Sequence, residues 1–136
     1  MKEKAANRSE CPLSCSLDIW GDKWSLLIIR DLVFYKKKTY GEFLQSDEKI
    51  ATNILANRLK LLEESGILLK KDNPVNKVKN IYELTGKGIG LVPMLLEAYI
   101  WADENLEIPQ EFRERIQKIK KDKQQFTDSL IAELLA

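Results

Sequence analysis

Residues 50–88 read IATNILANRLKLLEESGILLKKDNPVNKVKNIYELTGKG, and this stretch decides the fold. From about Ala51 to Glu64, Ile54, Leu55, Leu59 and Leu62 recur at helical spacing. Leu61 widens that stripe and Gly66 stops the helix. Ile67 to Lys71 is β-like, Asp72 to Asn80 is a polar loop with Pro74, and Ile81 to Leu84 returns as a second strand. So long a loop makes an open hairpin tip rather than a two-residue turn. An amphipathic helix followed by a two-stranded ribbon is the layout of a recognition helix and its wing. The expected class is α+β, mostly helical: a winged helix-turn-helix with a long C-terminal dimerisation helix.

The flanking segments fit that layout. Leu13 to Trp20 reads as a helix, with Pro12 at its first position and Gly21 closing it. Asp22 caps Lys23 to Phe34, where Trp24, Leu27, Ile28 and Leu32 form one stripe and Leu26, Ile29 and Val33 a second. Burial on most sides follows. Lys36 to Lys38 is a solvated link, Thr39 caps a short helix from Tyr40 to Gln45, and Ser46 to Lys49 is a turn. Thr85 caps a long helix to about Asn105 whose middle is apolar nearly all round and carries one charge, Glu97. One wing domain cannot cover such a helix, so a second subunit is expected to. Beyond Pro109 a helix is expected from Gln110 to about Gln124, with Phe112, Ile116 and Ile119 along it. A terminal piece follows from Phe126 to Leu135, with an apolar cluster of Leu130, Ile131, Leu134 and Leu135. The whole, residues 1–136, is read as one domain with a core over about 11–105 and a helical extension over about 109–136.

Net charge is only +1, but its distribution is uneven. Between Lys36 and Lys87 eleven bases face seven acids, an excess of +4, whereas from Asp103 onward six bases face eight acids. The positive excess coincides with the helix and wing, where a phosphate-facing surface needs it. The polar N-terminus has no apolar run behind it, so no signal peptide is read. The longest apolar-rich stretch, Ile89 to Ala102, has about 14 residues against the roughly 20 a bilayer requires. A cytoplasmic location without membrane contact is expected, with both cysteines reduced. The chain has no histidine, which removes the usual general base, and two cysteines make a poor zinc site. Gly86, Gly88 and Gly90 lack the spacing of a dinucleotide loop, and Glu63-Glu64 reads as solvated. No enzyme activity, metal or cofactor is expected.

The helix face turned away from the leucines carries Thr52, Asn53, Ala56, Asn57 and Lys60, with Arg58 partly outward. Amide side chains bond adenine edges, cations bond guanine or phosphate, and small methyls touch thymine. An ordinary solvated helix would favour Glu–Lys pairs instead. Lys77 and Lys79 in the wing loop suit backbone or minor-groove contact, or simply solubility. Double-stranded DNA is the expected partner. A winged-helix module that binds protein instead of DNA is the alternative, and a carboxylate-based enzyme a weaker third.

Cys11-Pro12, Gly21-Asp22-Lys23-Trp24, Tyr40-Gly41-Glu42-Phe43, the run Ile50 to Lys60, Glu63 to Gly66, and Leu84-Thr85 with Lys87-Gly88 occur in order. This pattern resembles the HxlR-type winged helix-turn-helix regulators, relatives of the MarR group, over roughly Cys11 to Glu104. The resemblance implies a homodimer paired through its first and long C-terminal helices on an operator with two half-sites. It implies base contacts from Ala51, Thr52, Asn53, Ala56, Asn57 and Arg58, and the DNA-facing set is completed by Thr39, Tyr40, Lys60, Lys77 and Lys79. Asp22 stands where the family commonly has a second Gly, and a capping role absorbs the change. The wing lacks the family's usual Arg, and the tail beyond Pro109 inherits no role; its apolar spacing suggests extra dimer surface.

Cys11 precedes the first helix, where the helix dipole and free N–H groups favour thiolate. Some HxlR-type regulators sense quinones, aldehydes or oxidants with the equivalent cysteine, so the resemblance implies a sensor thiol at Cys11; burial as a small apolar residue is the competing reading. Cys15 acquires no role. Trp20, Trp24 and Trp101 fall on apolar faces and read as core or dimer packing, or as the lining of a small-molecule effector pocket.

Overall fold

The structure is a computed structural model that describes residues 9–76 and 79–136. Two compact units divide the chain, one ending at Gly88 and one running from Ile89 to Ala136.

The first unit opens with α1 (Pro12–Trp20), which starts on Pro12 and buries none of its residues. Asp22 then caps α2 (Lys23–Phe34), its carboxylate accepting from the Ser25 amide at 2.9 Å and the Ser25 hydroxyl at 2.7 Å. Ile28, Ile29, Leu32 and Val33 are buried in the core, while Trp24, Leu26 and Leu27 are only half-buried. α3 (Tyr40–Leu44) ends one residue before the sequence suggests and starts on a capping box. The Thr39 hydroxyl accepts from the Glu42 amide at 3.2 Å, and the Glu42 carboxylate accepts from the Thr39 amide at 3.0 Å.

A buried acid anchors the following turn. Asp31 on α2 is 2% exposed; it accepts from Arg30 Nη2 at 2.7 Å and from the Ser46 hydroxyl in the turn. Arg30 also donates to Glu48 at 2.7 Å, and Lys37 donates to Ser46 Oγ at 3.0 Å. The buried carboxylate therefore has its charge and hydrogen bonds met from several sides. Lys49 then turns with φ 59° and the chain enters α4 (Thr52–Glu64) from Ala51.

α4 buries Leu55, Leu59 and Leu62. Leu61 corrects the expected stripe: it is 45% exposed, because at 100° per residue it falls with half-buried Ile54 on a shoulder of the helix, away from that trio. Gly66 ends the helix with φ 82°, a conformation that costs L-residues a Cβ clash. The wing is β1 (Leu68–Asp72) antiparallel to β2 (Asn80–Leu84), in register Leu68↔Leu84 through Asp72↔Asn80. Asp72 and Asn80, expected in the loop, thus pair at the open end of the ladder, and Ile67, expected in the strand, lies outside it, buried. The Tyr82 amide donates to the Lys38 carbonyl at 2.7 Å, tying the wing to the segment before α3.

The expected long helix from Thr85 to Asn105 is corrected to two. α5 (Gly86–Ile89) is capped by the Thr85 hydroxyl, which accepts from the Gly88 amide at 3.1 Å, and α6 (Val92–Asn105) starts afresh. Pro93 explains the break: in a continuous helix it would supply no N–H and its ring would strike the carbonyl of Ile89. Gly88 allows α5 to approach the wing, since a Cβ there would lie 2.5 Å from the Ile67 carbonyl oxygen.

In the second unit α6 is followed by α7 (Gln110–Lys121) and α8 (Lys123–Leu135), with Leu95, Leu96, Ile116, Ile119 and Leu130 buried. Asp122 divides the last two helices earlier than the apolar spacing suggests, because its carboxylate caps α8 through the Gln125 amide at 3.1 Å. The expected C-terminal cluster is looser than its spacing implies: Leu130 is buried, Ile131 and Leu134 are half-buried, and Leu135 is 70% exposed. Asp103, buried on α6, faces Lys120 of α7 at 3.3 Å, and Lys123 of α8 pairs with Glu97. No helix among the described residues is long and apolar enough to cross a membrane.

Candidate nucleic-acid interface

With Leu55, Leu59 and Leu62 committed to the core, α4 presents Thr52, Asn53, Ala56, Asn57 and Lys60 as exposed side chains, with Ala51 exposed at its cap. α3, the turn and α4 form the helix-turn-helix. Tyr40 is half-buried and donates its hydroxyl to the Thr52 carbonyl at 2.9 Å, joining α3 to the start of α4. Thr39 is half-buried in its capping box. These two side chains are occupied in holding the helix.

Arg58 is also engaged. Its Nε donates to Asp22 at 3.0 Å and its Nη1 to Asn57 Oδ1 at 2.6 Å. Burial alone would raise the Asp22 carboxyl, but the Ser25 and Arg58 hydrogen bonds outweigh it and hold the group below its usual range. The Asn57 oxygen is thereby already engaged by a cation, whereas the Asn53 amide keeps both its donor and its acceptor unengaged. Adenine read as a bidentate partner needs both.

Beside α4 the wing closes one side of an open groove of about 620 Å³, lined by Tyr40, Ala56, Lys60, Glu63, Lys70 and Tyr82. Lys70 and Tyr82 are absent from the sequence-based set. Their only signal there was strand alternation, which cannot say which face of a two-stranded wing turns toward α4. Burial, and then the nearby Glu63 charge, push the Tyr82 phenol above its usual value and keep it protonated. Lys79 is exposed at the far end of the wing loop, while Lys77 lies outside the described residues.

Cys11 occupies the N-cap of α1 and is exposed. The amides of Ser14 and then Leu13 hold its thiol below the ordinary value against a small opposing effect of burial. Cys15 is half-buried, with its Sγ 3.7 Å from the Ser9 carbonyl. Trp20 and Trp24 are half-buried, and Trp101 on α6 is 59% exposed.

Comparison with known proteins locates this geometry. Residues 19–110 match the family model described as HxlR-like helix-turn-helix. The chain is 35% identical over 98 residues to the HTH-type transcriptional regulator YodB of Bacillus subtilis, covering 71% of this chain and 87% of YodB. Reduced YodB superposes with a TM-score of 0.59 at 32% identity, covering 73% of this chain and 97% of that one, and a diamide-treated form of YodB has also been crystallised. The crystal structure of PA1607 superposes with a TM-score of 0.68 at 36% identity, covering 76% of this chain and 70% of PA1607. The redox regulator HypR in its oxidized form gives 0.63 at 29% identity, covering 72% and 100%. With a helix-turn-helix, an antiparallel wing and a family match over most of its length, the chain belongs to the HxlR-like helix-turn-helix family of winged-helix transcriptional regulators.

Proposed function

We propose that this regulator is a homodimer that binds a two-fold DNA operator, laying α4 of each protomer in successive major grooves whose centres are about 34 Å apart. The observation that carries the reading is the outward face of α4, where Thr52, Asn53, Ala56, Asn57 and Lys60 are free of the core. Asn53 is the leading base reader. Lys60, Lys70, Lys77 and Lys79 serve the phosphates, as does the cap at Ala51. Thr39, Tyr40 and Arg58 act mainly by fixing the helix.

Dimer pairing uses apolar side chains left exposed in a single protomer: Leu13 at 63% and Leu17 at 45% on α1, and Trp101 at 59% on α6. The extension after Pro109 adds to that surface. Cys11 is the reactive thiol through which a thiol-reactive effector alters DNA binding; the HypR and YodB structures, oxidized and diamide-treated, favour this over a purely structural cysteine.

Selection of bound duplexes from a random pool tests the reading. The expected product is a palindromic site whose affinity falls steeply with added salt, as counterion release demands. Equal, feeble affinity for every duplex would overturn it in favour of a protein-binding module. A lone subunit in sedimentation at micromolar concentration would remove the dimer.

A further inference from the structure

The chain holds two cysteines, and they sit one helical turn apart on α1. The Cys15 amide donates to the Cys11 carbonyl at 2.9 Å, closing the first turn. One such turn separates the two Cα atoms by about 6 Å, within the ~4.4–6.8 Å that disulfides span. It leaves the Cβ atoms about 5–6 Å apart against the ~3.5–4.5 Å of a disulfide, so the bond requires that first turn to rearrange. The Cys15 thiol points back toward the start of the helix, where it meets the Ser9 carbonyl at 3.7 Å; Ser9 in turn accepts the Cys11 amide on its hydroxyl at 3.3 Å. Cys15 therefore holds its sulfur at the end of α1 from which Cys11 projects. Cys11 is open to solvent while Cys15 is half-buried, so an oxidant meets Cys11 first. Because α1 buries no residue, its first turn can tighten with little disturbance of the core.

We infer that Cys11 and Cys15 form an internal dithiol–disulfide couple, with Cys15 resolving the oxidised state of Cys11 within the same protomer. The inference rests on Cys11 being the reactive thiol, and it assigns a modification site to Cys15. With a hydroperoxide as oxidant, the Cys11 thiolate attacks one peroxide oxygen. An S–O bond forms, the O–O bond breaks, and the remaining oxygen leaves as alcohol or water once protonated. Cys11 is then a sulfenic acid, oxidised by two electrons, and the peroxide is reduced. The Cys15 sulfur attacks the Cys11 sulfur, an S–S bond forms, the S–O bond breaks, and the departing hydroxide takes the Cys15 proton to leave as water. Thiol reductants return both cysteines to the reduced form.

The test uses the full, reduced protein treated with hydrogen peroxide, alkylated under denaturing conditions and weighed intact. The expected product is a protomer lighter by two hydrogens with no alkylatable thiol. Trypsin should release both cysteines in the single peptide Ser9 to Lys23, internally linked. Cys15→Ser should lose the internal link entirely and leave Cys11 as a sulfenic acid trapped by dimedone, or oxidised further. Cys11→Ser should keep Cys15 alkylatable. Disulfide-linked dimers as the main product, or oxidised Cys11 beside an alkylatable Cys15, would overturn the inference. DNA binding is read separately. If oxidation released DNA without an internal link, Cys11 would stand as the sensor and Cys15 would fall. If the link formed with no effect on DNA, the couple would stand and the sensor role would fall.

Discussion

Asp22 serves two elements, and replacing it separates their contributions. The carboxylate caps α2 through Ser25 and holds Arg58 of α4 at 3.0 Å, with side-chain exposures of 41% and 26% for Asp22 and Arg58. Asn caps a helix about as well as Asp, whereas Ala forfeits about 1 kcal/mol. The ion pair is partly solvated, so its own contribution is discounted to about 0.5 kcal/mol. Asp22→Asn should therefore cost about 0.5 kcal/mol and Asp22→Ala about 1.5 kcal/mol, read from urea midpoints at fixed protein concentration. DNA binding should move the other way. Either variant frees Arg58 beside the phosphates, and one added cation steepens the slope of log affinity against log salt by about 0.9. The Asn variant gives the cleaner reading, because its helix cap survives. Fluorescence anisotropy of a labelled duplex at several salt concentrations measures this slope. Equal losses for Asn and Ala would show that capping is not what Asp22 supplies. An unchanged salt slope would show that Arg58 already faces the DNA, refuting its assignment as a positioning residue.

The remaining predictions concern the readout, the turn and acid stability. Asn53→Ala should lower discrimination against the wrong base by about 1–3 kcal/mol; Asn57→Ala should cost less, since Arg58 already occupies its oxygen. A competition assay with singly altered operators ranks the two, and a larger loss at Asn57 would reverse the assignment. Gly66→Ala should destabilise by about 1–2 kcal/mol because its φ of 82° is left-handed, and an unchanged urea midpoint would contradict this. Glu48 and Glu42 are both held below the ordinary glutamate value of 4.5, Glu48 chiefly by the Arg30 hydrogen bond and Glu42 chiefly by the Lys38 amide, each against burial. A depressed carboxyl contributes stability that is fully present above its unfolded value and is lost as pH falls through the folded one. Acid unfolding should therefore steepen below about pH 4.5, and Glu48→Gln should flatten that limb; an unaltered pH profile would remove Glu48 from the account.

Much of this fold was legible because local chemistry and tertiary structure agree. Asp22, Thr39 and Gly66 mark helix ends with side-chain caps or a left-handed turn, and each mark is where the helix starts or stops. The errors lie where local pattern met a longer-range constraint. Apolar content argued for one helix through Thr85 to Asn105, but composition does not weigh the missing N–H of Pro93 against the surrounding leucines. Leu61 and Leu135 follow helical spacing and are still exposed, since periodicity does not say how wide the covering surface is. The bond from Tyr82 to Lys38 joins residues far apart in the chain, and neither neighbourhood announces it.

The candidate site divides along the same line. That the outer face of α4 is rich in Asn, Thr and Ala could be read from spacing alone, since a stripe of leucines fixes which side faces away. Which of those residues are free could not, because Arg58 and Tyr40 are taken up by Asp22 and the Thr52 carbonyl, both set by the approach of other helices. That occupation has a function of its own. A reading helix is useful only if its pitch relative to the preceding helix is fixed before DNA arrives, since ordering it on contact would subtract from affinity. The buried Asp31, reaching Ser46 in the turn and flanked by Arg30 and Lys37, holds that angle from the α2 side. Arg58 and Tyr40 hold it from the α4 and α3 sides. Under the proposed operator binding, residues that look like DNA contacts by type are thus the fixtures that aim the ones left exposed, with Asn53 and Lys60 foremost among them.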